Sequence, residues 1–190
     1  MCNYKLTVTI GKNSEIVDGG GWVTSMTWRK STLLEAKDRA QVLALRDLLN
    51  GDKPAMAMEL PDGRIVTGKT SSLLGACSAC ILNALKTLAG IPDDVLLLSP
   101  EIIRPLQHLK VEHLGNKNPR LHVNEALIAL AVCAVSDPVA SRAMEALNDL
   151  AGSEAHATVI LARADENTLS KLKINLTCEP KYETHKLYHG

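Results

Sequence analysis

A helix that is apolar on nearly every face constrains the fold of this chain more than any other feature. Residues 71–89 place Leu, Ile, Ala and Cys around most of the helical circumference, and Gly90 supplies a helix end. A helix of that kind in a globular protein is a buried one. Directly before it, residues 55–60 and 64–67 flank the turn signal Pro61-Asp62-Gly63, which predicts a β-hairpin. Other elements must therefore cover both the hairpin and the helix.

Strand and helix patterns alternate through the rest of the chain. Further strands are predicted at residues 4–10, 22–28, 95–98, 155–162 and 174–178. Further helices are predicted at residues 31–50, from Ser99-Pro100 to Gly115 with a kink or break at Pro105, and at 123–135, 137–151 and 165–172. The helix at 123–135 is expected to be a second buried helix. This order, with both hairpin and crossover signals, predicts a single α/β domain over residues 1–190 with a mixed sheet.

Composition limits the classes of partner. The chain has 21 basic and 21 acidic residues, so it lacks the positive field on which nonspecific nucleic-acid binding depends. The longest apolar run, residues 126–135, is well short of the roughly 20 residues that span a bilayer. No signal peptide is visible, and five cysteines, an odd number, favour reduced thiols. We therefore expect a cytoplasmic protein without nucleic-acid or membrane partners.

The segment from Gly63 to Thr70 fits the letters of a phosphate-binding P-loop, G-x-x-x-x-G-K-[ST]. Its first glycine lies in the hairpin turn, and Arg64–Thr67 has the pattern of a strand rather than of a curled loop. We interpret the match as coincidental. Residues 68–71 are instead expected to open the buried helix, and because a helix N-terminus favours anions, Lys69, Thr70 and Ser71 are candidate ligand-binding residues.

Four phrases occur in order: ELPDGRIVTGK from Glu59, LGNKNPRLHVNEALIALA from Leu114, GSEAH from Gly152 and INLTCEPKY from Ile174. Over residues 54–190 the chain thereby resembles the C-terminal part of the bacterial domain of unknown function 1846 family. The resemblance implies a three-layer α/β/α domain of cytidine-deaminase-like topology, and longer relatives with a glycine-rich segment upstream. Residues 1–53 have no obvious match, so they are a divergent domain edge, or the chain is a truncated paralogue or a fragment.

The resemblance supplies neither an activity nor a cofactor. Its topology invites a zinc-deaminase interpretation, but the sequence lacks an H-x-E with a downstream P-C-x-x-C. Cys77 and Cys80 form a C-x-x-C without a second ligand pair. They are expected well inside the buried helix, where cysteines pack as small apolar side chains.

The polar loop before the helix at residues 123–135 is the strongest candidate site. Asn118 and Arg120 are candidate ligand-binding residues, since a guanidinium grips a phosphate or carboxylate with two hydrogen bonds. His122 is a candidate proton donor or acceptor. The alternative is structural: Asn118 or Asn124 caps the helix, and Arg120 pairs with Glu125.

Glu154 and His156 alternate to the same face of a predicted strand and are candidate acid–base residues. With His122 and Glu125 they could form a metal site only if the fold brings all four together. The sequence thus leaves three functions open. The first is binding or conversion of a small anion such as a nucleotide or phosphorylated metabolite. The second is a non-catalytic assembly domain that forms a homo-oligomer, and the third is a metal hydrolase.

Overall fold

The computed structural model describes residues 5–10, 13–17, 28–29, 53–179 and 182–183. The strands are β1 Lys5–Ile10, β2 Asn13–Val17, β3 Trp28–Arg29, β4 Ala55–Glu59, β5 Ile65–Lys69, β6 Glu154–Ala157 and β7 Asn175–Cys178. The α-helices are α1 Ala76–Leu88, α2 Pro100–His108, α3 Val123–Cys133, α4 Pro138–Glu145 and α5 Arg163–Lys171. A π-helical turn, Leu109–His113, follows α2, and a 3-10 helix, Ala146–Leu150, follows α4.

A small antiparallel sheet near the N-terminus has the order β2-β1-β3. It confirms the predicted strand at residues 4–10. The strand predicted at 22–28 is described only at its end, where Trp28 pairs with Leu6. The sequence pattern missed β2, which pairs along β1 from Leu6 to Ile10. The helix predicted at residues 31–50 lies outside the described residues.

The second sheet has the order β5-β4-β6-β7 and is mixed, as predicted. The hairpin of β4 and β5 is antiparallel, β6 runs antiparallel to β4, and β7 runs parallel to β6. Because β6 and β7 are parallel, the chain must cross over between them, and α5 makes this crossover. The structure is therefore of the α/β class.

The start of α1 differs from the prediction. Strand β5 continues through Gly68 to Lys69, and α1 begins only at Ala76, so residues 68–71 do not open the helix. Ser71 instead closes a turn, its Oγ accepting hydrogen bonds from the N–H groups of Leu73 and Leu74 at 3.1 and 3.0 Å. A Cβ on Gly68 would lie 2.2 Å from the backbone nitrogen of Cys80, so this glycine lets α1 pack directly on β5.

Two other predicted elements are wrong in part. Residues 95–98 form no strand, and Leu96 is 67% exposed. Helix α3 is buried on one face only, since Ile128 and Val132 are 65% and 68% exposed. The pattern of apolar residues cannot separate a fully buried helix from one with an exposed apolar face.

Other boundaries also differ from the sequence prediction. Helix α2 continues past Pro105, and the π-helical turn carries the chain to Gly115, whose φ of +68° suits glycine. Strand β6 ends at Ala157 rather than at residue 162, because the chain bends at residues 158–159 before it reaches α5. Ends of short elements are the part of a pattern that is least determined by periodicity.

Among the described residues, the core is built from aliphatic and sulfur-containing side chains. Its largest fully buried members include Met56, Met58, Ile81, Leu85 and Leu130. Residues 55–58 of β4 are all buried, so both faces of the central hairpin strand are covered. In the part of the chain that the structure describes, no helix has the length and apolar character needed to cross a membrane.

Candidate functional site

A cavity of about 260 Å³ lies where the chain leaves β5, β6 and β7. Its wall includes Thr70 just after β5, residues 159–162 after β6, and Glu183 beyond β7. The N-terminal ends of α1, α3 and α5 also contribute, through residues 75–77, His122 and Ala162. The edge beyond the carboxyl ends of strands is the usual place for a ligand in an open α/β sheet.

The N-terminus of α1 carries no side-chain cap. Among the described residues, the backbone N–H groups of Ala76, Cys77 and Ser78 have no hydrogen-bond acceptor. The helix start is held in place by Leu121, whose carbonyl oxygen accepts from Ser78 Oγ at 2.8 Å and from the Gly75 N–H at 3.4 Å. Three backbone donors thus lie at the positive end of the helix dipole, and two of them belong to Ala76 and Cys77, which line the cavity.

At the N-terminus of α3, by contrast, carboxylates accept from two backbone N–H groups. Asp165 on α5 accepts a hydrogen bond from the Val123 N–H at 2.8 Å, and its other oxygen lies 2.9 Å from Nδ1 of His122. Glu125 accepts from the His122 N–H at 2.8 Å, and Lys110, only 4% exposed, binds Glu125 at 2.6 Å. The buried ammonium of Lys110 and the Glu125 carboxylate therefore compensate each other.

Arg120 pairs with Glu183, not with Glu125 as the structural alternative proposed. Both side chains line the cavity and both are partly exposed. Asn118 does not cap α3, since its Oδ1 accepts from the Arg120 N–H at 3.1 Å within the loop, and His122 occupies the cap position. The cavity thus contains an arginine that is already bound to a carboxylate of the C-terminal segment.

The two cysteines of the C-x-x-C differ in position. Cys77 lies in the first turn of α1 and lines the cavity, so it is not well inside the helix as predicted. Burial, and then the charges of Asp165 and Cys80, raise the pKa of the Cys77 thiol well above its ordinary value. Cys80 is fully buried beneath β5, and burial likewise raises its pKa. The packing interpretation fits Cys80, whereas Cys77 borders open space.

Half of the residues proposed from the sequence meet at this cavity. Those that line it are Thr70, Asn118, Arg120 and His122, whereas Lys69, Ser71, Glu154 and His156 do not. Thr70 is 4% exposed, and its hydroxyl has no hydrogen-bond partner among the described residues.

Glu154 and His156 take part in contacts within the sheet. Glu154 starts β6 and accepts a hydrogen bond from Asn175 at 2.8 Å. His156 Nδ1 lies 2.7 Å from the hydroxyl of Thr177, and its Nε2 lies 3.3 Å from Glu179, within ion-pair distance but without hydrogen-bond geometry. Within the described residues, no group of three or more His, Cys, Asp or Glu side chains is placed to hold a metal ion.

Sequence reasoning missed Cys77, Asp165 and Glu183 as members of the site. Asp165 was visible only as an acid at the start of a helix, a position that usually serves that helix itself. Its contacts instead reach α3, which depends on tertiary packing between α3 and α5. No local pattern could have indicated that contact.

Comparison with known proteins identifies the family of the chain. The sequence profile of the domain of unknown function DUF1846, C-terminal, matches residues 32–188, and so begins upstream of residue 54. A UPF0371 protein of Streptococcus thermophilus is 55% identical over 134 residues, which are 70% of this chain and 27% of that protein. A UPF0371 protein of Streptococcus pneumoniae is 48% identical over 157 residues, 83% of this chain and 32% of the relative.

A UPF0371 protein of Streptococcus pyogenes is 55% identical over 136 residues, 72% of this chain and 28% of that protein. The chain thus spans less than a third of the length of these relatives. Its match to the profile, however, covers most of its own residues. The chain belongs to the DUF1846 family and corresponds to the C-terminal domain of that family.

Proposed function

We propose that the cavity binds a small anionic metabolite through a phosphate or carboxylate group, as in a nucleotide or phosphorylated compound. The observation that supports this most is the uncapped start of α1, which lies beside Arg120 in one cavity. Backbone donors at a helix N-terminus and a guanidinium are the two commonest protein partners of a phosphate. The unpartnered Thr70 hydroxyl supplies a further donor in the same wall.

Glu183 competes with a ligand for Arg120 in this proposal. The carboxylate that binds Arg120 belongs to the chain itself, and it occupies the place that an acidic group of a ligand would take. A ligand must therefore displace Glu183 or bind beside it, and the competition lowers its apparent affinity. The proposal uses Thr70, Asn118, Arg120 and His122, with His122 as the proton donor or acceptor. It does not use Lys69, Ser71, Glu154 or His156.

The test is a titration of the protein with inorganic phosphate and a nucleotide panel, followed by thermal unfolding and calorimetry. A ligand that binds only the folded state raises the unfolding midpoint. We expect a rise with wild type, a loss of that rise in Arg120→Ala, and tighter binding in Glu183→Gln. Arg64→Ala is the matched control, because Arg64 is an exposed arginine of the hairpin turn that binds Asp62 outside the cavity.

Two results would contradict the proposal. One is the absence of any shift with the whole panel at millimolar concentration. The other is equal phosphate binding by the Arg120→Ala variant and the wild type. A loss of binding in Arg64→Ala as large as that in Arg120→Ala would also remove the assignment to this cavity.

A second candidate function is self-assembly. It is favoured by the apolar side chains that α3 and its end leave exposed, with Ile128, Val132 and Val135 at 65%, 68% and 87%. These three residues repeat at the spacing of one helical face, and such faces usually meet a partner. Light scattering on wild type and on Ile128→Lys tests it: a concentration-dependent dimer that the lysine abolishes is expected, and a monomer at all concentrations would refute it.

Two finer expectations also remain proposals. Burial of β4 on both faces supports the three-layer α/β/α arrangement with cytidine-deaminase-like topology. We further propose a cytoplasmic location, since four cysteines of the described part, Cys77, Cys80, Cys133 and Cys178, are free thiols. An experimental structure of residues 1–190 would test the layers, and fractionation of cells would test the location.

A further inference from the structure

Cys77, His122 and Asp165 come from three different helix starts and line the same cavity. We propose that Cys77 is a nucleophile that His122 and Asp165 activate, and that the site accepts acyl groups from small esters or thioesters. The expectation that Arg120 selects an acyl compound with an anionic group rests on the proposed function. The acyl transfer to Cys77 does not depend on that function.

The His122–Asp165 contact defines how the imidazole is used. Asp165 lies 2.9 Å from Nδ1, and a carboxylate only accepts, so this nitrogen carries a proton; in the neutral imidazole Nε2 is then the acceptor. No described residue hydrogen-bonds Nε2. The second bond of Asp165, to the Val123 N–H at 2.8 Å, fixes the carboxylate and thereby the ring. Asp165 is thus a positioning residue, and His122 is a general base by the logic of a nucleophile–base–orienter set.

The environment of Cys77 makes such a base necessary. The side chain is 2% exposed, and its raised pKa keeps the thiol protonated at neutral pH. A resting thiol is a weak nucleophile, because the thiolate is the form that attacks. During attack the imidazole of His122, which lines the same cavity, can take this proton, so no free thiolate is needed. Burial raises the pKa of the Cys77 thiol most, and Asp165, which binds that imidazole, is near enough for its charge to raise this pKa further. Cys80, equally buried, does not line the cavity, and its Sγ lies 3.9 Å from the carbonyl oxygen of Val66.

The backbone of α1 completes the arrangement. The N–H groups of Ala76, Cys77 and Ser78 lack acceptors among the described residues, and they belong to the same helical turn as the thiol. Such preorganised donors stabilise the oxyanion that develops on an attacked carbonyl. The same uncapped turn therefore serves both an anionic ligand and a tetrahedral intermediate.

The step balances without a cofactor. Sγ of Cys77 bonds to the carbonyl carbon of the ester while its proton passes to Nε2 of His122. The intermediate expels the alcohol or thiol leaving group, which takes the proton from His122, and an acyl thioester remains on Cys77. Water, deprotonated by His122, then attacks the thioester, releases the acid and restores the thiol.

The experiment is acylation of the full chain with 4-nitrophenyl acetate, followed by peptide mass spectrometry. We expect one acetyl group on the Cys77 peptide, a burst of nitrophenolate equal to the protein concentration, and at least ten-fold slower modification of Cys80. The partly exposed Cys133 is the internal control for simple thiol reactivity. Acetylation of Cys77 no faster than that of Cys80 would overturn the proposal, and this comparison requires no variant.

Variants then separate activation from accessibility. His122→Gln should slow acetylation of Cys77 at least ten-fold and leave Cys133 unchanged, and Asp165→Asn should slow it and shift its pH profile. A folded His122→Gln protein with an unchanged Cys77 rate would refute the role of the imidazole. If the wild type does not bind phosphate but Cys77 is acetylated, only the proposed anion binding is wrong. If the wild type binds phosphate but Cys77 is not acetylated, only the proposed role of Cys77 as a nucleophile is wrong.

Discussion

The starts of α1 and α3 meet at one cavity, but they satisfy their backbone donors in opposite ways. At α3, Asp165 and Glu125 accept the bonds of Val123 and His122 at 2.8 Å each. At α1, no side chain in the described part of the chain caps the first turn. Both helices point the positive ends of their dipoles toward this cavity. The two starts therefore differ in the side chains around them and not in their backbone.

The contrast teaches where a ligand has room. At a capped helix start, N–H groups already donate hydrogen bonds to the protein, so an anion can form few new hydrogen bonds there. An uncapped start beside a cavity offers donors that only solvent or a ligand can satisfy. The α3 start instead holds His122 in a defined orientation through Asp165. One start is therefore suited to binding, and the other to proton transfer.

The strongest way to break the α1 start is Gly68→Val. A Cβ there would meet Cys80 N at 2.2 Å and Ala76 O at 2.5 Å, and both atoms are backbone. Because neither can move without shifting α1 from β5, we expect a loss of roughly 3 kcal/mol or more in the free energy of unfolding. Urea denaturation measures it. Two variants serve as controls. Gly63→Ala, where a Cβ has open space but φ is +83°, should lower the free energy of unfolding by only about 1 kcal/mol, and Lys69→Ala should leave it nearly unchanged. Equal losses of stability in all three variants would contradict this explanation.

The α3 start is broken by Asp165→Ala. This change removes the acceptor of Val123 and the partner of His122 together, so we expect a loss of about 2 kcal/mol, the upper end of cap effects. Asp137→Ala is the matched control, since Asp137 caps α4 with a single bond of 2.8 Å to Val139 and should cost about half as much. If denaturation finds the Asp165 variant no less stable than the Asp137 variant, the double role of Asp165 is wrong.

The two starts also show what a sequence can reveal. Local patterns predicted the β4–β5 hairpin, the α3 start near residue 123 and the polar loop before it, because turns and helix signals act over a few residues. They failed at α1, where a glycine–lysine pair resembles a helix start yet lies in a strand. Asp165 and Glu183 reach the cavity from residues more than 40 positions beyond His122, and only tertiary packing decides such contacts.

A weaker link joins the two helix starts and is tested by Ser78→Ala. Ser78 is 1% exposed and donates to the carbonyl oxygen of Leu121 at 2.8 Å, directly before the α3 cap. Its removal leaves that buried oxygen with one long bond from Gly75, so we expect a loss of about 1 kcal/mol. Thr87→Ala removes an exposed bond to Asn83 within α1 and should change stability far less; equal effects would mean that Ser78 does not join the starts.

The smallest expected change in stability sharpens the comparison most, because Gly75→Asp gives α1 the kind of cap that α3 already has. Gly75 has φ −68° and ψ 160°, ordinary for a capping residue, and its added Cβ would come no closer than 3.9 Å to Leu121 O. A carboxylate there can accept from the first-turn N–H groups, so stability should rise by a few tenths of a kcal/mol. Phosphate binding should fall nevertheless, since a fixed negative charge then occupies the donors. Gly75→Ala adds the Cβ without the charge and should keep binding. If Gly75→Asp binds phosphate as the wild type does, the anion lies elsewhere, and the uncapped turn of α1 serves the fold or the thiol chemistry alone.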